Sequence, residues 1–142
     1  LLTLAFEAGV ADCLTILPPT FAIAAYYRHA DVVVTLAPRE PFGRTVVEAI
    51  ACGVPVIGSN SGGIGEILSQ IAPTWAVDPF DARGAAQAIV QVTTAPNTTE
   101  TLMQAMSWVQ SQCSVTRYAQ QMMAMTGLAL PVRELEVVPL IG

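Results

Sequence analysis

Two glutamates, Glu40 and Glu48, flank the start of an apolar-periodic run in which Val46, Val47, Ile50 and Ala51 recur at helical spacing from Gly43 to Cys52. Gly53 stops that run, so the spacing predicts Glu40 just before a helix and Glu48 within its second turn. The first N–H groups of a helix have no partner inside it, and the helix dipole adds positive potential there. The amides around Phe42, Gly43 and Arg44 are therefore an expected anion site, and Gly43 lets a phosphate approach the backbone closely. Two carboxylates beside such a site can accept hydrogen bonds from sugar or ribose hydroxyls. Together these groups suit a nucleotide sugar. The rival chemistry is hydrolysis with the glutamates as acid and nucleophile. Eight helical residues span about 12 Å, longer than the roughly 5 to 9.5 Å between glycosidase carboxyl groups, which weighs against it.

These residues need a scaffold that gathers them. Residues 1 to 9 read as helix ending at Gly9, Cys13 to Leu17 as a strand closed by Pro18-Pro19, and Thr20 to about Ala30 as a helix capped by the Thr20 hydroxyl. Val32-Val33-Val34-Thr35-Leu36 and Val54 to Gly58 are nearly continuous apolar runs, the pattern of parallel strands buried on both faces. Ser61-Gly62-Gly63 opens a short helix through Ile67 and Leu68, and Trp75-Ala76-Val77 makes a fourth strand. Past Asp78 only helices are expected: one capped by Asp81, one begun by an Asn97/Glu100 capping box, and one from Ser114 to Gly127. The methionines are expected as core fillers and His29 as a helix C-terminal charge.

Strands alternating with helices define an α/β fold: a Rossmann-like, doubly wound parallel sheet with helices on both faces and a helical C-terminal end. Ligands of such sheets bind at the carboxyl ends of the strands. The four loops there are Pro18-Pro19, Ala37 to Gly43, Ser59 to Gly63 and Asp78 to Asp81. Arg39 and Arg44 bring positive charge to that rim, while Gly62-Gly63 serves either tight geometry or ligand approach.

The remaining composition excludes much. The 142 residues carry 6 basic and 11 acidic side chains, a net charge of -5, and no basic stripe of the kind a nucleic-acid binder needs. Every basic residue other than His29 is arginine, which excludes a lysine nucleophile. Cys13, Cys52 and Cys113 are far apart with a lone histidine, so neither a metal site nor a disulfide framework is expected, and a reducing, cytoplasmic setting fits. No apolar run approaches the roughly 18 to 20 residues of a membrane span. A mean hydropathy of +0.54 and a start at Leu1 read as a fragment whose apolar face packs on a further domain.

Ala30-Asp31-Val32-Val33-Val34, Glu40-Pro41-Phe42-Gly43 and Glu48-Ala49-Ile50-Ala51-Cys52-Gly53-Val54-Pro55-Val56-Ile57 together resemble the GT-B glycosyltransferases of family 4, with Glu40 to Glu48 as their E-x7-E motif. The resemblance continues through Gly62-Gly63-Ile64-Gly65-Glu66 and Asp78-Pro79-Phe80-Asp81, over roughly residues 5 to 125. It implies a retaining hexosyltransferase that needs no metal or cofactor, with a nucleotide-diphosphate sugar as donor substrate. Residues 1–127 would be most of the C-terminal, nucleotide-sugar-binding domain, with 128–142 a tail of unassigned role. A glycan, lipid or small-molecule acceptor would be held by an N-terminal domain, through which the enzyme could also meet a membrane.

By the same resemblance Glu40 is the catalytic candidate beside the transferred sugar. The donor-binding candidates are Arg39, Pro41, Phe42, Gly43, Arg44, Thr45 and Glu48, with Gly62 and Gly63 on the next loop, and Glu48 would hold the ribose hydroxyls. Catalysis would be electrostatic, through stabilisation of the departing diphosphate. The chain departs from the family pattern in two respects. The basic pair that follows the domain's first strand would fall before Leu1, and Pro18-Pro19 replaces a glycine-containing loop. Without the pair and the acceptor domain, this stretch alone is not expected to turn over. A non-catalytic nucleotide-binding or interaction module, and an epimerase-like GT-B enzyme, are the alternative readings.

Overall fold

The computed structural model describes residues 1–114 together with Arg117 and Gln120. Its helices are α1 (Leu2–Glu7), α2 (Ile23–His29), α3 (Arg44–Ala51), α4 (Gly62–Ile71), α5 (Ala82–Thr94) and α6 (Thr98–Gln112), and its strands are β1 (Val33–Thr35), β2 (Val56–Ser59) and β3 (Ala76–Val77). The strands form one parallel sheet in the order β1-β2-β3, with Val33 opposite Val56 and Gly58 opposite Ala76. Each parallel step is bridged by a helix, α3 then α4, as parallel pairing demands. The order runs in sequence without reversal among the described residues.

All four residues of β2 are buried, and successive side chains point to opposite faces, so both faces of the central strand are covered. Gly58 lies under α4, where a Cβ would meet Ile64 Cγ2 at 2.6 Å and Leu68 Cδ1 at 2.7 Å. Around β2 the core collects Val46, Ala49 and Ile50 from α3, Ile64 and Leu68 from α4, and Ala105 and Val109 from α6. Val46 and Ile50 are buried as their spacing predicts, whereas Ala51 is exposed and Ala49 takes the inward position. Val54, expected to open the strand over 54–58, precedes β2 instead.

Three expectations are corrected. Cys13 to Leu17 is not a strand: Ala11–Cys13 is a 3₁₀ turn and Thr15, Ile16 and Leu17 are exposed, because no neighbouring strand among the described residues offers this segment a ladder. Asn97 precedes α6 but makes no side-chain cap. Its backbone is already helical (φ -86°, ψ -1°), whereas a capping side chain needs an extended backbone, and Glu100 accepts from Gln104 instead. Met103 is exposed rather than a core filler, while Met106 packs on the core.

Asp81 caps α5 as expected, its Oδ1 accepting from the Arg83 and Gly84 amides at 3.1 and 2.9 Å. His29 closes α2, its Nδ1 donating to the Ala25 carbonyl at 2.7 Å. The helix expected from Thr20 starts only at Ile23, and its N-cap residue Ala22 has no side-chain cap; the Thr20 hydroxyl instead accepts from the Ala22 amide at 3.0 Å, in the turn before α2. The Ser114 hydroxyl accepts from the Arg117 amide at 3.2 Å. The rest of the helix expected from Ser114 to Gly127, the methionines in it, and the 128–142 tail lie outside the described residues.

Candidate functional site

Three loops leave the carboxyl ends of β1, β2 and β3, and two of them are tied together. The Ser61 hydroxyl donates to the Pro38 carbonyl at 3.0 Å, and the Gly63 amide donates to the Glu40 carbonyl at 2.7 Å. Buried Ser59 completes a chain, its hydroxyl donating to Ser61 Oγ at 2.8 Å and accepting from the Ser61 amide at 3.2 Å. The Asn60 amide donates to the Val77 carbonyl at 2.8 Å, which extends the tie to β3.

This contact explains the glycines. A Cβ on Gly63 would stand 2.5 Å from the Pro41 carbonyl oxygen, and one on Gly62, whose φ is +62°, would stand 2.7 Å from the Glu40 carbonyl oxygen. Gly62 and Gly63 thus let the β2–α4 turn lie flat against Glu40-Pro41-Phe42. Gly43 caps α3 at φ +60° with its own Cβ position 3.0 Å from the Gly63 carbonyl oxygen.

The Val46 and Val47 amides return to the Gly43 carbonyl at 3.0 and 3.4 Å, while the amides of Phe42, Gly43, Arg44 and Thr45 have no partner among the described residues. No acidic residue occupies the first turn of α3. Phe42 projects into solvent at 77% exposure, Pro41, Arg39 and Arg44 are exposed, and Glu40 is half-buried at the mouth of the loop.

Glu48 lies one turn into α3. Its Oε1 accepts from Arg44 Nε at 3.3 Å and its Oε2 from the Tyr27 hydroxyl of α2 at 3.4 Å. The Arg44 and Glu48 side chains are 84% and 39% exposed, so water screens the pair, and i,i+4 pairs of this kind contribute about 0.3–0.5 kcal/mol. An incoming anion can draw Arg44 away at little cost. Tyr27 differs, being 9% exposed. Its phenol is pushed above its ordinary pKa, first by burial and then by the neighbouring Glu48 carboxylate. Sequence reasoning missed Tyr27: it lies 21 residues from Glu48 on another helix, and no period links them.

On the third loop, Asp78 accepts from the Phe80 amide at 2.9 Å and Asp81 caps α5, so both acids are spent on local geometry. Phe80 is 83% exposed beside them. A cavity of about 330 Å³ lies elsewhere, between Trp75, α5 and α6, and includes none of the rim residues. Among the described residues no cluster of three or more His, Cys, Asp or Glu could hold a metal ion, and no helix is long and apolar enough to cross a membrane.

A parallel sheet whose strands are joined by helices, with its loops tied together at the carboxyl ends, defines an α/β domain of the class whose ligands bind at that rim. The chain belongs to the glycosyl transferases group 1 family, which it matches over residues 3–106. It is 31% identical over 142 residues to a D-inositol 3-phosphate glycosyltransferase of Saccharomonospora viridis, an alignment covering 93% of this chain and 33% of that protein. A D-inositol 3-phosphate glycosyltransferase of Paenarthrobacter aurescens is 44% identical over 66 residues, 45% of this chain and 16% of that protein. Among solved structures, sucrose-phosphate synthase from Thermosynechococcus elongatus superposes with a TM-score of 0.77 at 31% identity, covering 88% of this chain and 32% of that one. The fold is therefore that of a GT-B glycosyltransferase domain. The chain spans about a third or less of the length of these proteins.

Proposed function

We propose that this domain binds the nucleotide-diphosphate sugar donor of a retaining, metal-independent glycosyltransferase, the acceptor being held by a further domain. The observation that carries the reading is the junction of four amides at the start of α3, Phe42 to Thr45, which have no partner among the described residues, with Glu48 one turn into that helix. Those amides and Arg44 would receive the diphosphate, and the Glu48 carboxylate the ribose diol. Donors fixed before the glycosidic bond breaks stabilise the leaving diphosphate without reorganising. Glu40, half-buried on the braced loop, would stand beside the transferred sugar and fix its orientation. The reading includes no cofactor.

Titration of the chain with UDP, GDP and ADP, monitored by amide NMR, tests this. Saturable binding of one nucleotide, with shifts centred on residues 42–48 and loss of affinity in Glu48→Ala, is the expected result. Binding unaffected by Glu48→Ala would refute the assignment. D-inositol 3-phosphate, the compound in the relatives' name, is the first acceptor to try with a longer chain.

A further inference from the structure

We propose that Tyr27 is a positioning residue for the donor's ribose, holding the Glu48 carboxylate in place when Arg44 turns to the diphosphate. This rests on the donor-site reading above. A carboxylate offers about four lone-pair sites on two oxygens. Tyr27 occupies one on Oε2 and Arg44 one on Oε1, leaving one on each oxygen for the two hydroxyls of a vicinal diol.

The two partners are unequal. Arg44 is an exposed surface cation next to the amides that have no partner among the described residues, so an arriving diphosphate competes for it. Tyr27 is a buried residue of α2 that belongs to the core cluster, and α2 packs on α3, so its ring is held by neighbours that Arg44 lacks. At 3.4 Å the Tyr27–Glu48 contact is long for O–H···O and can shorten as the carboxylate settles onto a diol. Specificity for a ribose over a deoxyribose is then set partly by a residue that never touches the nucleotide.

The test compares UDP, GDP and ADP with their 2′-deoxy counterparts on wild type, Tyr27→Phe and Glu48→Gln. The expected result is a wild-type preference for the ribonucleotide that Tyr27→Phe lowers about five- to tenfold, the scale of one ordinary intramolecular hydrogen bond, with deoxynucleotide affinity unchanged. An unaltered preference in Tyr27→Phe, or equal weakening of both ligands, overturns the role of Tyr27. If no diphosphate binds wild type, or Glu48→Gln keeps the wild-type preference, the donor-site reading itself fails and the Tyr27 role with it. Should Tyr27→Phe not melt cooperatively, the ring-carbon NMR signal of Tyr27 in wild type decides. It should move on saturation with the ribonucleotide and stay in place with the deoxy form, and no movement overturns the proposal.

Discussion

The Gly63 amide donates to the Glu40 carbonyl across 2.7 Å, and a single added carbon on Gly63 would intrude on the Pro41 carbonyl at 2.5 Å. The loop that carries Glu40 is therefore held by its neighbour's backbone, and its shape depends on the absence of side chains in that neighbour. Gly63→Ala should lower stability by about 1–3 kcal/mol, as overpacking against rigid backbone does. It should also weaken nucleotide binding, because Phe42 and Gly43 move with the loop. Denaturant melts and nucleotide titration read the two effects separately.

Asp81→Ala provides a contrast. It removes a cap that accepts from two amides, and should cost about 1 kcal/mol of stability. Nucleotide affinity should be unchanged, since Asp81 is committed to α5. A loss of affinity here would place the third loop in the site.

Ile50 and Ile64 are fully buried on the helices that flank the rim. Truncating either to alanine should cost about 2–5 kcal/mol, seen as an early urea midpoint. Ala51→Ser, on the exposed side of the same helix, should leave that midpoint within about 0.5 kcal/mol.

Alkaline unfolding should report Tyr27. Its phenol pKa is raised in the folded protein by burial and by Glu48, so the native state holds this proton more tightly than the unfolded chain. The resulting stability is fully present below the ordinary phenol pKa near 10 and is lost as pH rises through the higher folded value. Wild type should lose stability above about pH 10 more steeply than Tyr27→Phe, as measured by urea melts across that range.

Leu2, Leu4 and Phe6 of α1, together with Ile16, Leu17 and Phe21, are exposed. The chain by itself should associate at high concentration, and Phe6→Ser with Phe21→Ser should reduce this in light scattering. A strictly monomeric wild type would show that this apolar surface needs no cover.

Local signals in the sequence determined where β1, α3, β2, α4 and α5 fall, because each carries its own period, stop or cap: the valine run at 32–34, Gly53 after α3, Asp81 before α5. They also put Glu40 before a helix start and Glu48 within it. The strand read at Cys13 to Leu17 failed because a strand exists only by pairing, and its residues cannot encode whether a partner is present. The Asn97 cap failed because a cap depends on backbone angles that residue types alone do not fix. Only the tertiary structure joined Gly63 to Glu40 and Tyr27 to Glu48, pairs that are distant along the chain. Such contacts arise from how α2, α3 and α4 pack on the sheet, and close packing sets distances to tenths of an ångström that no sequence period specifies.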